Sequence, residues 1–193
     1  MKNICVFCSS SDVIDRVYFK AAEELAKKIT ENNQTFVFGG AGVGLMKRMA
    51  KVVNENNGTS IGIIPQRIYD NNLACKLVSE LIITPDMYTR KAKLAEYADA
   101  FISLPGGFGT LEELSEVITH KQLAYHNKPI VILNINGFYD NLIKFFEILY
   151  TEKVAKSDYR KFYFVANSVT EAYDYLLNYK PEEHINKWFE KNN

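Results

Sequence analysis

Ala100-Phe101-Ile102-Ser103-Leu104-Pro105-Gly106-Gly107-Phe108-Gly109-Thr110 decides how the rest of the chain is read. A short run, apolar but for one serine and without strict alternation, is the pattern of a strand buried on both faces. It breaks at a proline–glycine cluster, and from Thr110 to about Leu123 the apolar spacing turns helical. The same order of apolar run, turn and helix recurs on either side. Ile4-Cys5-Val6-Phe7-Cys8 ends in Ser9-Ser10-Ser11 and precedes a helix from about Asp15 to Glu31, with Phe19, Ala22, Leu25, Ala26 and Ile29 on one face. Thr35-Phe36-Val37-Phe38 stops at Gly39-Gly40 before a helix carrying Leu45, Met46, Met49, Val52 and Val53. Further strands are expected at 60–64, stopped by Pro65, at 81–83, stopped by Pro85, at 129–133 and at 162–165. Helices are expected at about 87–97, 139–150 and 170–177.

Unalternating strands separated by amphipathic helices predict an α/β fold, a doubly wound, Rossmann-like parallel sheet with helices on both faces. Residues 1–180 are expected to form one nucleotide-binding domain, and 181–193 a C-terminal helical tail built on Ile185, Trp188 and Phe189. Composition narrows the partners. With 47% hydrophobic residues in 193, the chain is far from a disordered composition. No apolar run approaches the ~20 residues of a membrane span, so no membrane partner is expected. The 23 basic residues balance the 23 acidic ones, which speaks against a nucleic acid polymer as partner. The stretch after Lys2 is too short for a signal-peptide core, and an odd count of 3 cysteines suggests reduced thiols. A cytoplasmic protein acting on a small molecule is the expectation.

In such folds ligands sit beyond the carboxyl ends of the strands, near the point where strand order reverses. The unusual residues fall there: Ser9 to Ser11, Gly39 to Gly44, and Pro105 to Thr110. Glycine clusters cost backbone entropy and imply positive φ or close approach to the backbone. A helix N-terminus just beyond such a cluster is an anion site, most simply for phosphate. Gly40-Ala41-Gly42-Val43-Gly44-Leu45 misses the last glycine of the dinucleotide fingerprint and follows the second strand rather than the first. With no Gly-Lys-Ser/Thr triplet there is no P-loop, so a smaller ligand with a single phosphate is indicated. Arg90 and Lys91 place two cations near a predicted helix start, against the macrodipole, unless an anion offsets them. Glu113 has two readings. Thr110-Leu111-Glu112-Glu113 has the spacing of a capping box, with Thr110 as N-cap; equally, a carboxylate one turn from a phosphate cradle can manage a water or a developing cation. Cys5 and Cys8 lie on opposite faces of a strand, and with only His120, His126 and His184 no metal site is expected. No Gly-x-Ser-x-Gly elbow is present.

Pro105-Gly106-Gly107-Phe108-Gly109-Thr110-Leu111-Glu112-Glu113 resembles the PGGxGTxxE signature of the LONELY GUY (LOG) family. Gly39-Gly40-Ala41-Gly42-Val43-Gly44-Leu45-Met46 resembles that family's other glycine turn, with Ala41 where a third consecutive glycine is common. Asp86-Met87-Tyr88-Thr89-Arg90-Lys91 resembles its segment ending Arg-Lys, with Tyr88 for the usual histidine, and the similarity runs from about Lys2 to Leu177. The resemblance implies a phosphoribohydrolase of the cytokinin-activating type, an enzyme that hydrolyses the N-glycosidic bond of nucleoside 5′-monophosphates, AMP and N6-prenylated AMP. It implies catalytic Arg90 and Glu113, and substrate contacts from Ser9, Gly39, Gly40, Gly42, Lys91, Gly107, Phe108, Gly109, Thr110, Leu111 and Glu112. It also implies a homodimer and no cofactor. The family often has an acidic residue in the loop after Ile64-Pro65, where this chain reads Asp70-Asn71-Asn72. Members are often labelled lysine decarboxylases, a label the chemistry does not support, since a pyridoxal phosphate enzyme needs a Schiff-base lysine in a far larger scaffold. The alternative from another class is a non-catalytic nucleotide-binding or cofactor-carrier protein on the same fold.

Overall fold

Strand β1 (Asn3–Phe7) buries Ile4, Cys5, Val6 and Phe7 almost completely, and its two faces enter different cores. Ile4 and Val6, with Cys8 just beyond, pack with helices α1 (Arg16–Glu31), α2 (Gly44–Glu55) and α7 (Val169–Asn178). Cys5 and Phe7 pack with α4 (Met87–Tyr97), α5 (Phe108–Gln122) and, more loosely, α6 (Asp140–Thr151). A strand covered on both sides has no solvent face to mark with polar residues, which explains the unbroken run. The computed structural model describes residues 1–181. The expected tail helix around Ile185, Trp188 and Phe189 lies outside the described residues.

The remaining strands are β2 (Thr35–Phe38), β3 (Thr59–Pro65), β4 (Glu80–Thr84), β5 (Ala100–Ser103), β6 (Ile130–Leu133) and β7 (Phe164–Ala166). They form one 7-stranded sheet in the order β4-β3-β2-β1-β5-β6-β7, every neighbouring pair parallel. The expected doubly wound architecture is therefore the observed one. The chain builds outward from β1 to β4, then returns to lay β5 against β1, so the reversal falls between β1 and β5. Their tips are tied together: Leu104 N–H donates to Phe7 O at 2.9 Å and Ser9 N–H to Pro105 O at 3.1 Å.

Helix α4 has the expected bounds, and Asp86 caps its start by accepting the Thr89 N–H at 2.7 Å. Helix α5 departs from expectation. It starts at Phe108 rather than Thr110, with the extended Gly107 as N-cap and the Leu111 N–H bonded to Gly107 O at 3.1 Å. Thr110 is the third helical residue and is buried, so the capping-box reading of Glu113 does not hold. The last strand begins at Phe164, later than expected, because Ser157–Phe162 winds as a 3-10 helix that buries Tyr159 and Phe162. A short helix α3 (Gln66–Asp70) follows Pro65, too brief to leave a periodic signal.

Gly44 shows why the second glycine turn needs glycine. Its φ is +54°, and a Cβ there would sit 2.5 Å from Ser9 O and from the Ser10 carbonyl carbon. The Leu45 N–H donates to the same Ser9 O, at 3.0 Å, and the Gly44 N–H to Asp12 Oδ1, at 3.1 Å. The serine and glycine turns thus touch backbone to backbone. Left-handed backbone alone costs a non-glycine residue about 1–2 kcal/mol, and the clash adds to it. Gly44→Ala is expected to lower stability by more than about 2 kcal/mol, read as a drop in the urea midpoint at unchanged slope.

Candidate active site

The loops at the β1/β5 reversal enclose a cleft of about 550 Å³. One end is polar. The N-terminus of α5 faces it with Gly107, Phe108, Gly109 and Thr110, and Arg90, Glu112 and Glu113 stand beside it. The first helical N–H groups, those of Phe108, Gly109 and Thr110, have no carbonyl four residues back to bond, and the helix dipole adds partial positive charge. A Cβ on Gly106 would strike the Thr110 side chain at 2.1 Å, so this glycine serves the turn. A Cβ on Gly107 or Gly109 would meet nothing within 4 Å. Packing does not demand those two glycines. They keep the helix end bare toward the cleft, as an anion site requires. The other arm is apolar, with Val43, Met46, Pro65, Ile68, Leu73 and Met87.

The Arg90 guanidinium is the buried cation of the site. Nη1 donates to Glu113 Oε1 at 2.8 Å, the two side chains being only 11% and 12% exposed. Nε donates to Ile63 O at 3.1 Å. A Cβ on Gly39 would lie 2.2 Å from Nη2, so Gly39 is the residue over which the guanidinium fits. Beside this pair, Lys91 Nζ lies 2.5 Å from Glu112 Oε1 and 3.1 Å from Glu116 Oε1. Carboxylates from α5, together with the Asp86 cap, therefore offset the two cations that the sequence places against the α4 dipole.

Burial pushes the Glu113 carboxyl above its ordinary value; Arg90 pulls it down and the Glu112 and Glu116 charges push it up, leaving it raised. Hydrogen bonding to Glu112 holds the Lys91 ammonium above its usual value, against partial burial and with help from Glu116. Burial, then the Glu113 charge, raises the Cys8 thiol at the cleft floor, so it stays protonated and unreactive. Cys5, Cys8 and Cys75 are all free and buried. Among the described residues no group of three His, Cys, Asp or Glu is placed to hold a metal ion, and no helix is long and apolar enough to cross a membrane.

The structure brings Gly39, Arg90, Gly107, Phe108, Gly109, Thr110, Glu112 and Glu113 together around the cleft. It places the other candidates differently. Ser10, not Ser9, lines the cleft; Ser9 is buried, its Oγ accepting the Ser11 N–H at 3.1 Å. Gly40 and Gly42 bind a loop instead of lining the cleft: Cys75 N–H donates to Gly40 O at 2.8 Å and Gly42 N–H to Leu73 O at 2.7 Å. Leu111 packs into the core beneath α5, and Lys91 lies below the cleft in a small pocket with Glu116 and His120. Asp70 and Asn72 face away from the cleft, into a surface hollow with Lys76. Sequence reasoning missed Glu116. Its signal was a second acid at i+4 from Glu112, opposite the Arg-Lys pair.

The chain is similar to known proteins. A family model described as "Possible lysine decarboxylase" matches residues 46–176. Cytokinin riboside 5′-monophosphate phosphoribohydrolase LOG5 of Arabidopsis thaliana is 38% identical over 180 residues, covering 93% of this chain and 79% of that protein. The enzyme LOG of the same description from Oryza sativa subsp. japonica is 38% identical over 184 residues, covering 95% and 76%. Among solved structures, the molybdenum cofactor binding protein of Rippkaea orientalis matches with a TM-score of 0.71 at 19% identity, over 91% of this chain and 95% of that one. The molybdenum cofactor carrier protein of Chlamydomonas reinhardtii matches with a TM-score of 0.69 at 23% identity, over 91% and 98%. At those identities the structural matches show the shared fold alone.

The balance of forces on Glu113 is open to measurement by carboxyl-resolved NMR. Its midpoint is expected above the ordinary 4.5, and Arg90→Gln, which removes the group pulling it down, is expected to move it further up. A midpoint at or below 4.5, or a downward move in the variant, contradicts this account of the pair.

Proposed function

The chain belongs to the LONELY GUY (LOG) family of phosphoribohydrolases, and from that membership we propose that it hydrolyses the N-glycosidic bond of nucleoside 5′-monophosphates. AMP and N6-prenylated AMP are the proposed substrates, and free base and ribose 5-phosphate the products. The observation that carries the proposal is the buried Arg90–Glu113 pair, 2.8 Å apart, beside the bare N-terminus of α5. The 5′-phosphate rests on the N–H groups at that helix end. The base lies in the apolar arm. This orientation turns C1′ toward Glu113.

Breaking the C1′–N bond builds positive charge on the ribose, as in glycoside hydrolysis, and a carboxylate facing it stabilises that charge. Glu113 has this role and orients the attacking water. The water oxygen joins C1′, and the proton it gives up balances the one the departing base takes. Arg90 donates hydrogen bonds but no net proton, since a guanidinium stays charged; it fixes the Glu113 rotamer and favours the ionised form against burial. Exposed apolar side chains near the cleft mouth, Phe108 at 92% and Tyr88 at 83% exposure, support a homodimer as part of the proposal. Three free, buried thiols fit a reducing, cytoplasmic location.

The description "possible lysine decarboxylase" does not fit the cleft. Pyridoxal phosphate chemistry needs a lysine amine able to form a Schiff base. No lysine is among the described residues lining the cleft, and Lys91 is paired with two carboxylates and held protonated. A carrier protein is the second reading, suggested by the shared fold; mere binding gives no reason to bury Glu113 against its own desolvation cost.

Incubation with AMP and with isopentenyl-AMP, followed by chromatography of the free base, tests the proposal. Release by the wild type is expected, with Glu113→Ala slower by about 10²–10⁴-fold. No release from either nucleotide, or a Glu113→Ala variant equal to wild type, rejects it; calorimetric binding without turnover then identifies a carrier. Gly109→Ala tests the phosphate cradle separately. Since nothing crowds that position, stability is expected within about 0.5 kcal/mol of wild type, while KM for AMP rises roughly tenfold or more, the equivalent of one charge-assisted hydrogen bond lost.

A further inference from the structure

The Arg-Lys pair of α4 meets α5 through two different kinds of contact. Arg90 is committed to Glu113 and to a backbone carbonyl. Lys91 is shared between two carboxylates one helical turn apart, Glu112 at 2.5 Å and Glu116 at 3.1 Å. These two acids are not equivalent. The Glu112 side chain is 52% exposed and lines the cleft. The Glu116 side chain is 28% exposed, is absent from the cleft wall, and shares the small lower pocket with Lys91, Glu113 and His120. The Lys91 side chain between them is 15% exposed.

A lysine side chain packed this far out of water keeps its ammonium best with a carboxylate partner, because a charge left there without one is destabilising. Were Glu112 its sole partner, moving Glu112 toward a ligand would carry that penalty. With Glu116 in place the penalty disappears, since Lys91 has three N–H donors and keeps one anionic acceptor throughout. We propose that Glu116 is a positioning residue that holds Lys91 while Glu112 swings from the lysine to the ribose hydroxyls of the bound nucleotide. The inference rests on the phosphoribohydrolase reading, which supplies a ribose beside Glu112. Glu116 itself touches no substrate. It acts through Lys91, by making Glu112 available.

Glu116→Gln in the full chain tests this. With Lys91 left to Glu112 alone, Glu112 stays on the lysine, so KM for AMP is expected to rise about 3–10-fold while kcat changes less than twofold, the pattern of lost ground-state binding. The inhibition constant of 2′,3′-dideoxy-AMP, which lacks the hydroxyls that Glu112 would hold, is expected to stay unchanged. In a Lys91→Met background no ammonium needs a partner, and adding Glu116→Gln is expected to have no effect on KM. A merely structural ion pair predicts otherwise: AMP and the dideoxy nucleotide weaken alike, or the Tm falls with neither constant changed, and either result overturns the proposal. An effect of Glu116→Gln that persists without Lys91 overturns it too. If the wild type releases no base at all, the enzymatic reading fails first. Calorimetric affinities for AMP and the dideoxy analogue then test the Glu112 exchange by the same comparison.

Discussion

A single guanidinium, with almost no access to water, holds the cleft in shape. Arg90 reaches from α4 to the Ile63 carbonyl on β3, to Glu113 on α5, and across the face of Gly39 at the end of β2. Three elements from distant parts of the chain therefore meet at one planar, permanently charged group. Lysine does not substitute for it, since an ammonium is a point donor without a rigid fork and loses its charge more readily when buried. Gly39 is fixed by the same group: any Cβ there would displace the guanidinium and with it the orientation of Glu113.

The two glycine-rich turns look alike in sequence and do different work. In the turn after β2, Gly40 and Gly44 take left-handed backbone and Gly42 lends its N–H to the Leu73 carbonyl, so glycine serves close packing of backbone against backbone. That turn bonds the 73–75 segment, which brings Leu73 into the apolar arm of the cleft. In the turn after β5, Gly107 and Gly109 have no crowding neighbour and no positive φ. Glycine there is explained by what must approach from outside. Spacing alone could not separate the two uses, because positive φ and close approach both favour glycine.

This is also where legibility from sequence ended. The sheet was readable because buried parallel strands are unbroken apolar runs and the helices between them carry one apolar face. Helix α4 was readable at its start, where Asp86 caps it with its own side chain. Helix α5 was misjudged at its start because its N-cap, Gly107, contributes no side chain, while Thr110 imitates a cap from inside the first turn. Within the site, Arg90 stood out as a cation set against a helix dipole, whereas Glu113 could be read either as a cap or as a carboxylate beside a phosphate cradle. Ser10 could not be told from Ser9, since which of two adjacent serines faces a cleft depends on a turn pinned by Pro105 O and Leu45 N–H, contacts far away in sequence. Glu116 was hidden because an acid on a helix is ordinarily a solvated one. Only the neighbouring helix shows what it holds.

Charge accounts for how one cleft can welcome both a phosphate and a nascent cation. Along the α4–α5 seam, three carboxylates, those of Glu112, Glu113 and Glu116, face two cations, Arg90 and Lys91, leaving one net negative charge. Such a cluster alone would repel a nucleotide's phosphate. In the proposed complex the phosphate is met instead by neutral donors, the N–H groups of the first turn of α5, whose partial charge comes from the backbone and needs no counter-ion. Under the proposal, binding and chemistry are thereby assigned to opposite signs of field on one helix: the dipole end attracts the anion, and the acids of the next turn are set against the sugar. Moving Glu113 even one residue along α5 would turn it about 100° around the axis, away from Arg90. The glycine turn must therefore start the helix at Phe108 for the carboxylate to meet Arg90 beside the proposed phosphate cradle.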